Sequence, residues 1–189
     1  SEGCIRPVSA RRAALAMAEV RWQAGKWWKA HEAYQHVATN YASLVPFDEV
    51  MEREFTIAKD HFEGNKGRFL FFHFSSNDKA IKIYDAILKV GPYSGVGARA
   101  LYRSALLAVQ EKDYEDAANR FHRLLTSYPE SALSADARAD LAQTLLTQAK
   151  DFDGDGTLAH EARGELDRFV ARYPNHPRRA EVDTNRLAA

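Results

Sequence analysis

One spacing recurs four times along the chain and decides what it can fold into: an alanine, an aromatic or leucine four residues on, and another apolar residue three further. The copies are Ala30/Tyr34/Val37, Ala80/Tyr84/Ile87, Ala117/Phe121/Leu124 and Ala162/Leu166/Phe169. In the last three, a proline (Pro92, Pro129 or Pro174) stands twelve residues after the alanine; the first copy has Ala42 there and Pro46 just beyond. Steps of three and four place these side chains on one face of an α-helix. The alanine lets a neighbouring helix pass close, and the bulky residue fills the gap one turn later. Proline has no amide hydrogen and obstructs continuation, so it ends each helix. Fixed offsets repeated this often mean a stack of similar helical units.

Between the copies lie helices of similar character. Residues 9–24 carry Ala13, Ala14, Met17, Ala18 and Val20 and close at Gly25, a C-terminal cap. Residues 95–111 carry Ala98, Leu101, Ala105 and Ala108, residues 46–63 and 131–149 complete the set, and 177–188 begin a further helix. The pattern predicts an all-α chain of nine helices in alternating antiparallel pairs, with almost no strand signal. Residues 1–8 are expected as an N-terminal tail, and residues 9–189 as a single repeat domain of about four pairs plus a C-terminal helix. Ala30 to Ala80 is 50 residues, Ala80 to Ala117 is 37 and Ala117 to Ala162 is 45. Against a unit of about 34 residues, the copies carry insertions, expected near Gly64–Asn77 and Lys150–Thr157. Both fall between the two helices of a pair, where a loop grows without breaking the stack.

The bulk composition narrows the function classes. A chain of 189 residues, 46% of them apolar, is long enough to bury a core and too apolar for wholesale disorder. Its 26 Lys and Arg balance 26 Asp and Glu, which gives no electrostatic case for nucleic acid. No apolar run approaches the roughly 18 residues of a membrane-spanning helix. Cys4, the sole cysteine, has the small residue directly before it that a lipid-attachment signal uses, but Ser1-Glu2-Gly3 lacks the apolar one further upstream. It is read as a lipidation candidate beside a plain thiol.

The turn Gly25-Lys26-Trp27 before Ala30, and its counterpart Lys112-Asp113-Tyr114 before Ala117, resemble the turn and second-helix start of the tetratricopeptide repeat. The endings Gly91-Pro92-Tyr93-Ser94, Tyr128-Pro129-Glu130-Ser131 and Tyr173-Pro174-Asn175-His176 resemble those of the BamD family, over roughly residues 10–180. That family consists of periplasmic tetratricopeptide lipoproteins of the machinery that inserts β-barrels into bacterial outer membranes. The resemblance implies a tetratricopeptide-type right-handed superhelix, and a non-catalytic scaffold that binds other proteins or peptide segments, outer-membrane assembly components among them. It implies no cofactor and a periplasmic location at the outer membrane, with membrane contact through a lipid anchor or a partner; a cytoplasmic location stays open. Two alternatives stand beside it: another cell-envelope tetratricopeptide adaptor, and a helical substrate-positioning domain of a larger enzyme.

Tetratricopeptide arrays bind partners on the face lined by the first helix of each pair. Projected onto this sequence, that face holds Arg12, Glu19, Trp22 and Gln23 in the first unit and Arg99, Tyr102, Leu106 and Gln110 in the third. Aromatics beside Arg and Gln suit a peptide, combining apolar area with directed hydrogen bonds. The plainer reading of Trp22 and Tyr102 is that they bridge adjacent helices. Phe71, Phe72 and Phe74, in the most apolar run of the chain, form either a docking insertion or a buried plug; burial is the cheaper state.

Asp151, Asp153 and Asp155 before Gly156 have the alternate spacing that opens a calcium loop, but position 162, where the closing carboxylate belongs, is Ala162. A polar turn capping the next helix accounts for the same residues. No metal is expected otherwise. His31-Glu32 and His36 have the look of a zinc-protease helix, yet the histidines are five apart where four are needed. They read as surface histidines. Gly64-Asn65-Lys66-Gly67 lacks the spacing of a phosphate loop, and Arg168 and Arg172 read as a solvated stripe with Glu165. No catalytic residue is expected.

Overall fold

The computed structural model describes residues 5–63, 73–152, 154 and 156–188, with backbone alone at 5–9, 73–76, 151–152 and 188. Cys4, Phe71, Phe72, Asp153 and Asp155 lie outside the described residues, as do the side chains of Phe74 and Asp151. The described elements are all helical: α1 (Ile5–Gln23), α2 (Trp27–Tyr41), a 3₁₀ turn (Ala42–Leu44), α3 (Phe47–Thr56), a π-helix (Ile57–Glu63), α4 (His73–Val90), α5 (Gly97–Gln110), α6 (Tyr114–Ser127), α7 (Ser134–Phe152), α8 (Thr157–Arg172) and α9 (Arg179–Ala188). They divide into two compact units, Ser1–Ala100 and Leu101–Ala189.

In the first unit α1 packs on α2, while α4 packs on α3 and on the π-helix that continues it. The seam residues Ala30, Tyr34, Val37, Ala80, Tyr84 and Ile87 are all fully buried. The second unit repeats the arrangement: α6 packs on α7, α7 on α8 and α8 on α9. Ala117, Phe121, Leu124, Ala162, Leu166 and Phe169 are buried there to within 1% exposure. All four copies of the repeated spacing therefore form helix seams, as the fold class requires.

Two turns show why the pairs close as they do. After α1, Gly25 takes a left-handed backbone (φ 68°), its amide donates to the Trp22 carbonyl at 2.9 Å, and the Lys26 amide donates to Arg21 at 3.0 Å. This double bond set ties off the last carbonyls of a helix. After α5 the same bonds run from Lys112 to Val109 (3.0 Å) and from Asp113 to Ala108 (2.9 Å), with Lys112 itself at φ 63°. Asp113 then caps α6, its Oδ1 accepting from the Asp116 amide at 3.1 Å.

The links from one pair to the next also repeat. Gly91, Tyr128 and Tyr173 each donate an amide to the carbonyl four residues back (Ile87, Leu124, Phe169), all at 2.8 Å. Ser94, Ser131 and His176 then close a turn onto those same three residues, and Gly97, Ser134 and Arg179 close a second one. Gly91 stands where the other links have tyrosine because Phe47 and Met51 occupy that space: a Cβ there would lie 2.9 Å from the Phe47 ring.

Four expectations need correction. Residues 46–63 do not form one regular α-helix; the chain widens into the π-helix from Ile57. The insertion near 150–157 is not simply a loop, since α7 runs 19 residues against 14 for α5. Gly156, with φ 76° and no side-chain hydrogen bond, is the cap residue of α8. Finally, Ala13, Met17 and Val20 of α1 are exposed, where a seam would bury them; only Ala18 of that group is fully buried.

Candidate functional site

On the first helices of the pairs, the projected binding residues sit among charged and aromatic neighbours. In the first unit, Glu19 accepts a hydrogen bond from the Tyr34 hydroxyl at 2.8 Å and lies 3.5 Å from Arg53 Nε. Trp22, half-buried, meets Trp27, Tyr34 and His61 edge-on at 5.6, 6.5 and 5.9 Å, and the Arg53 guanidinium lies 5.1 Å from its ring centre. His61, on the π-helix, stacks flat on Trp27 at 3.4 Å. Arg12 and Gln23 are exposed. The structure thus brings Glu19 and Trp22 together through Arg53, and leaves Arg12 and Gln23 open to solvent.

Arg99, also in the first unit, donates to Glu52 Oε2 at 2.7 Å and covers the Phe55 ring at 4.3 Å. In the second unit the Tyr102 hydroxyl donates to Asp140 Oδ2 at 2.6 Å, and its ring meets Phe121 at 6.0 Å. Arg178, just ahead of α9, reaches Asp140 at 2.7 Å and Glu181 at 2.8 Å. Leu106 is half-buried and Gln110 exposed. Each first-helix face therefore combines a fixed polar contact with exposed groups beside it.

The electrostatics follow from burial and these partners. Burial first, then the hydrogen bond to Glu19, raises the Tyr34 hydroxyl above its ordinary range; Tyr102 is raised likewise by burial and Asp140. Both hydroxyls stay protonated donors. Burial lowers the His61 imidazole despite nearby Asp60, which favours the neutral ring stacked on Trp27. The hydrogen bond from Arg178 lowers the Glu181 carboxyl and fixes an ion pair at the start of α9.

The histidines and the arginine stripe differ from expectation. His31 is not a surface residue: it is buried on α2, with Nδ1 2.5 Å from Glu54 Oε2, and Glu54 is fully buried. Desolvation pushes the Glu54 carboxyl up, against the hydrogen bond with His31. His36 is exposed beside Asn40. Glu165 is buried rather than solvated, held by Arg138 of α7 and Arg168 of its own helix, whereas Arg172 pairs with Glu130 at 2.8 Å. Among the described residues no group of three or more His, Cys, Asp or Glu could hold a metal ion.

Sequence reasoning missed Arg53, His61, Asp140 and Arg178. The first two lie on or just before the π-helix, whose wider i to i+5 turn shifts the register that the repeat projects. Asp140 sits one position off the projected face, and Arg178 lies in a link rather than a helix.

Residues 95–183 match the family model YfiO, described as an outer membrane lipoprotein. A search of curated proteins finds no match. Among solved structures, the chain is similar to a Podosopora anserina putative kinesin light chain with nearly identical TPR-like repeats: TM-score 0.53, 12% identity, 96% of this chain and 85% of that one covered. It is also similar to the MamA protein, with TM-score 0.52, 13% identity and coverage of 94% and 85%. At such identities the likeness shows the fold alone. The chain is a tetratricopeptide-type helical repeat protein, and its YfiO match agrees with the BamD resemblance read from the links. No described helix is long and apolar enough to cross a membrane.

Proposed function

We propose that this protein is a non-catalytic scaffold of the bacterial envelope, holding partner proteins at the outer membrane during β-barrel assembly. The observation that carries the proposal is the match of residues 95–183 to an outer membrane lipoprotein family. The first-helix faces support it: Trp22, Arg99 and Tyr102 are held by neighbours, while Arg12, Gln23 and Gln110 beside them are exposed. Rigid side chains next to open polar groups capture a peptide at low ordering cost. Partners are extended segments or helices of other proteins, and the chain supplies position rather than chemistry.

The test is affinity purification from native envelopes with wild type and with Arg12→Glu plus Gln110→Glu, both at exposed positions. Barrel-assembly proteins are expected with the wild type and several-fold depleted with the variant, at equal thermal stability. Equal recovery of those proteins, or their absence from the wild-type sample, would overturn the proposal.

A further inference from the structure

Glu54 lies where α3 packs on α2, and its charge is poorly provided for. It is 0% exposed, and its Oε2 lies 2.5 Å from His31 Nδ1. Its Oε1 is buried with no hydrogen-bond partner among the described residues, and so is the amide Nε2 of Gln35. His31 and Gln35 stand four apart on α2, one turn from each other, and both act on Glu54. The other charged groups around this joint are turned elsewhere. Arg53 of α3 meets Glu19 and the Trp22 ring, Glu63 of the π-helix bonds to the Tyr84 hydroxyl of α4, and His61 stacks on Trp27. Lys29, Glu32 and His36 of α2, Asp48, Glu49 and Glu52 of α3, Lys59 and Asp60 of the π-helix, and Asp78, Lys79, Lys82, Asp85 and Lys89 of α4 are exposed.

One titrating proton between His31 and Glu54 leaves the pair without net charge, whichever member holds it. Without that proton a net negative charge remains out of reach of solvent, with Oε1 facing no donor, and such a charge is costly to bury. Desolvation accordingly raises the Glu54 carboxyl, more than His31 and Gln35 lower it. The unengaged Gln35 amide and solvent are the donors an ionised Glu54 would draw on, and either requires α2 and α3 to shift. Arg53, the next residue on α3, would carry that shift to Trp22, whose ring centre lies 5.1 Å from its guanidinium. In the second unit the buried Glu165 has Arg138 and Arg168 to balance it.

We infer that the proton held between His31 and Glu54 is a switch: while bound it keeps the α2–α3 joint closed, and its loss as pH rises loosens that joint and the Trp22 contact beside it, leaving the second unit unchanged. The switch belongs to the free chain and does not rest on the proposed scaffolding role.

The test is hydrogen exchange of the full chain, followed by mass spectrometry between about pH 5 and 9 and divided by the intrinsic rate at each pH. Protection of α2 and α3 is expected to fall about tenfold or more in the wild type across that range. It should stay level in Glu54→Gln, as should α7 and α8 in both proteins. The Glu54 carboxyl carbon resonance gives a reading that needs no variant, and its inflection is expected above 4.5. The Trp22 indole resonance should move with the same midpoint in the wild type only; His61 beside it is present in both proteins, so its own titration cancels. An inflection at or below 4.5, a loss of protection shared by Glu54→Gln or by α7 and α8, or a Trp22 signal that does not follow the carboxyl would overturn the inference.

Discussion

Glu54 in the first unit and Glu165 in the second are both buried carboxylates, 0% and 4% exposed, yet they are held in opposite ways. Glu165 sits between the guanidiniums of Arg138 and Arg168, permanent charges that reach in from partly exposed positions. Glu54 has His31, a buried group that need not be charged, and desolvation raises its carboxyl. The first unit also departs from regular geometry next to Glu54, in the π-helix, and replaces a link tyrosine by Gly91. The second keeps tyrosine at both links and α-helix throughout its pairs. Apolar seams repeat one plan across the units, whereas each buried acid is held by partners of its own.

The largest effect should come from forcing the second unit's link onto the first. Gly91→Tyr would drive a ring into Phe47 and Met51, and overpacking of this kind costs about 3 kcal/mol. Urea unfolding reads it directly, and a stability within error of wild type would mean that the two links are interchangeable after all.

A smaller effect, with a sign set by protonation, separates the two acids. The folded-state value of Glu54 lies above its ordinary 4.5, so the folded chain keeps a proton that the unfolded chain has released. The stability this group contributes is complete below pH 4.5 and is lost as pH rises through the folded value. From pH 4.5 upward the wild type should therefore lose stability relative to Glu54→Gln. Parallel stability curves for the two proteins across pH would remove the proposed contrast with Glu165.

The smallest effects lie at the matched turns. Gly25→Ala puts a side chain into a left-handed conformation and should cost about 1 kcal/mol, while Lys112→Gly relieves one and should gain somewhat less. Paired thermal melts would show opposite shifts; shifts of the same sign would mean that the turns are not equivalent.

How far the sequence reaches depends on what holds each region. The seams were legible because burial of Ala30, Tyr84 or Phe121 repeats with the helical period, and the αL turn at Gly25 because few residues besides glycine adopt it easily. The π-helix was not, since no residue type marks where the chain widens from i+4 to i+5 bonding. The burial of His31 depends on a partner 23 residues away, which no local pattern reveals. The outward stripe of α1 looked like a seam because Ala13, Met17 and Val20 have a seam's composition; only the absence of a covering helix among the described residues tells the two apart. For the binding face, the aromatic positions were readable, but the polar partners that fix them came from other helices.

The three links share one set of backbone hydrogen bonds while their side chains vary from glycine to tyrosine and from serine to histidine. The backbone bonds that close a link therefore do not depend on which of these side chains it carries. Length, by contrast, is free to change inside a pair, as the longer α7 shows. Such a chain can acquire new surface at its hairpin tips while its joints stay geometrically conserved, which leaves recognition and framework free to evolve at different rates.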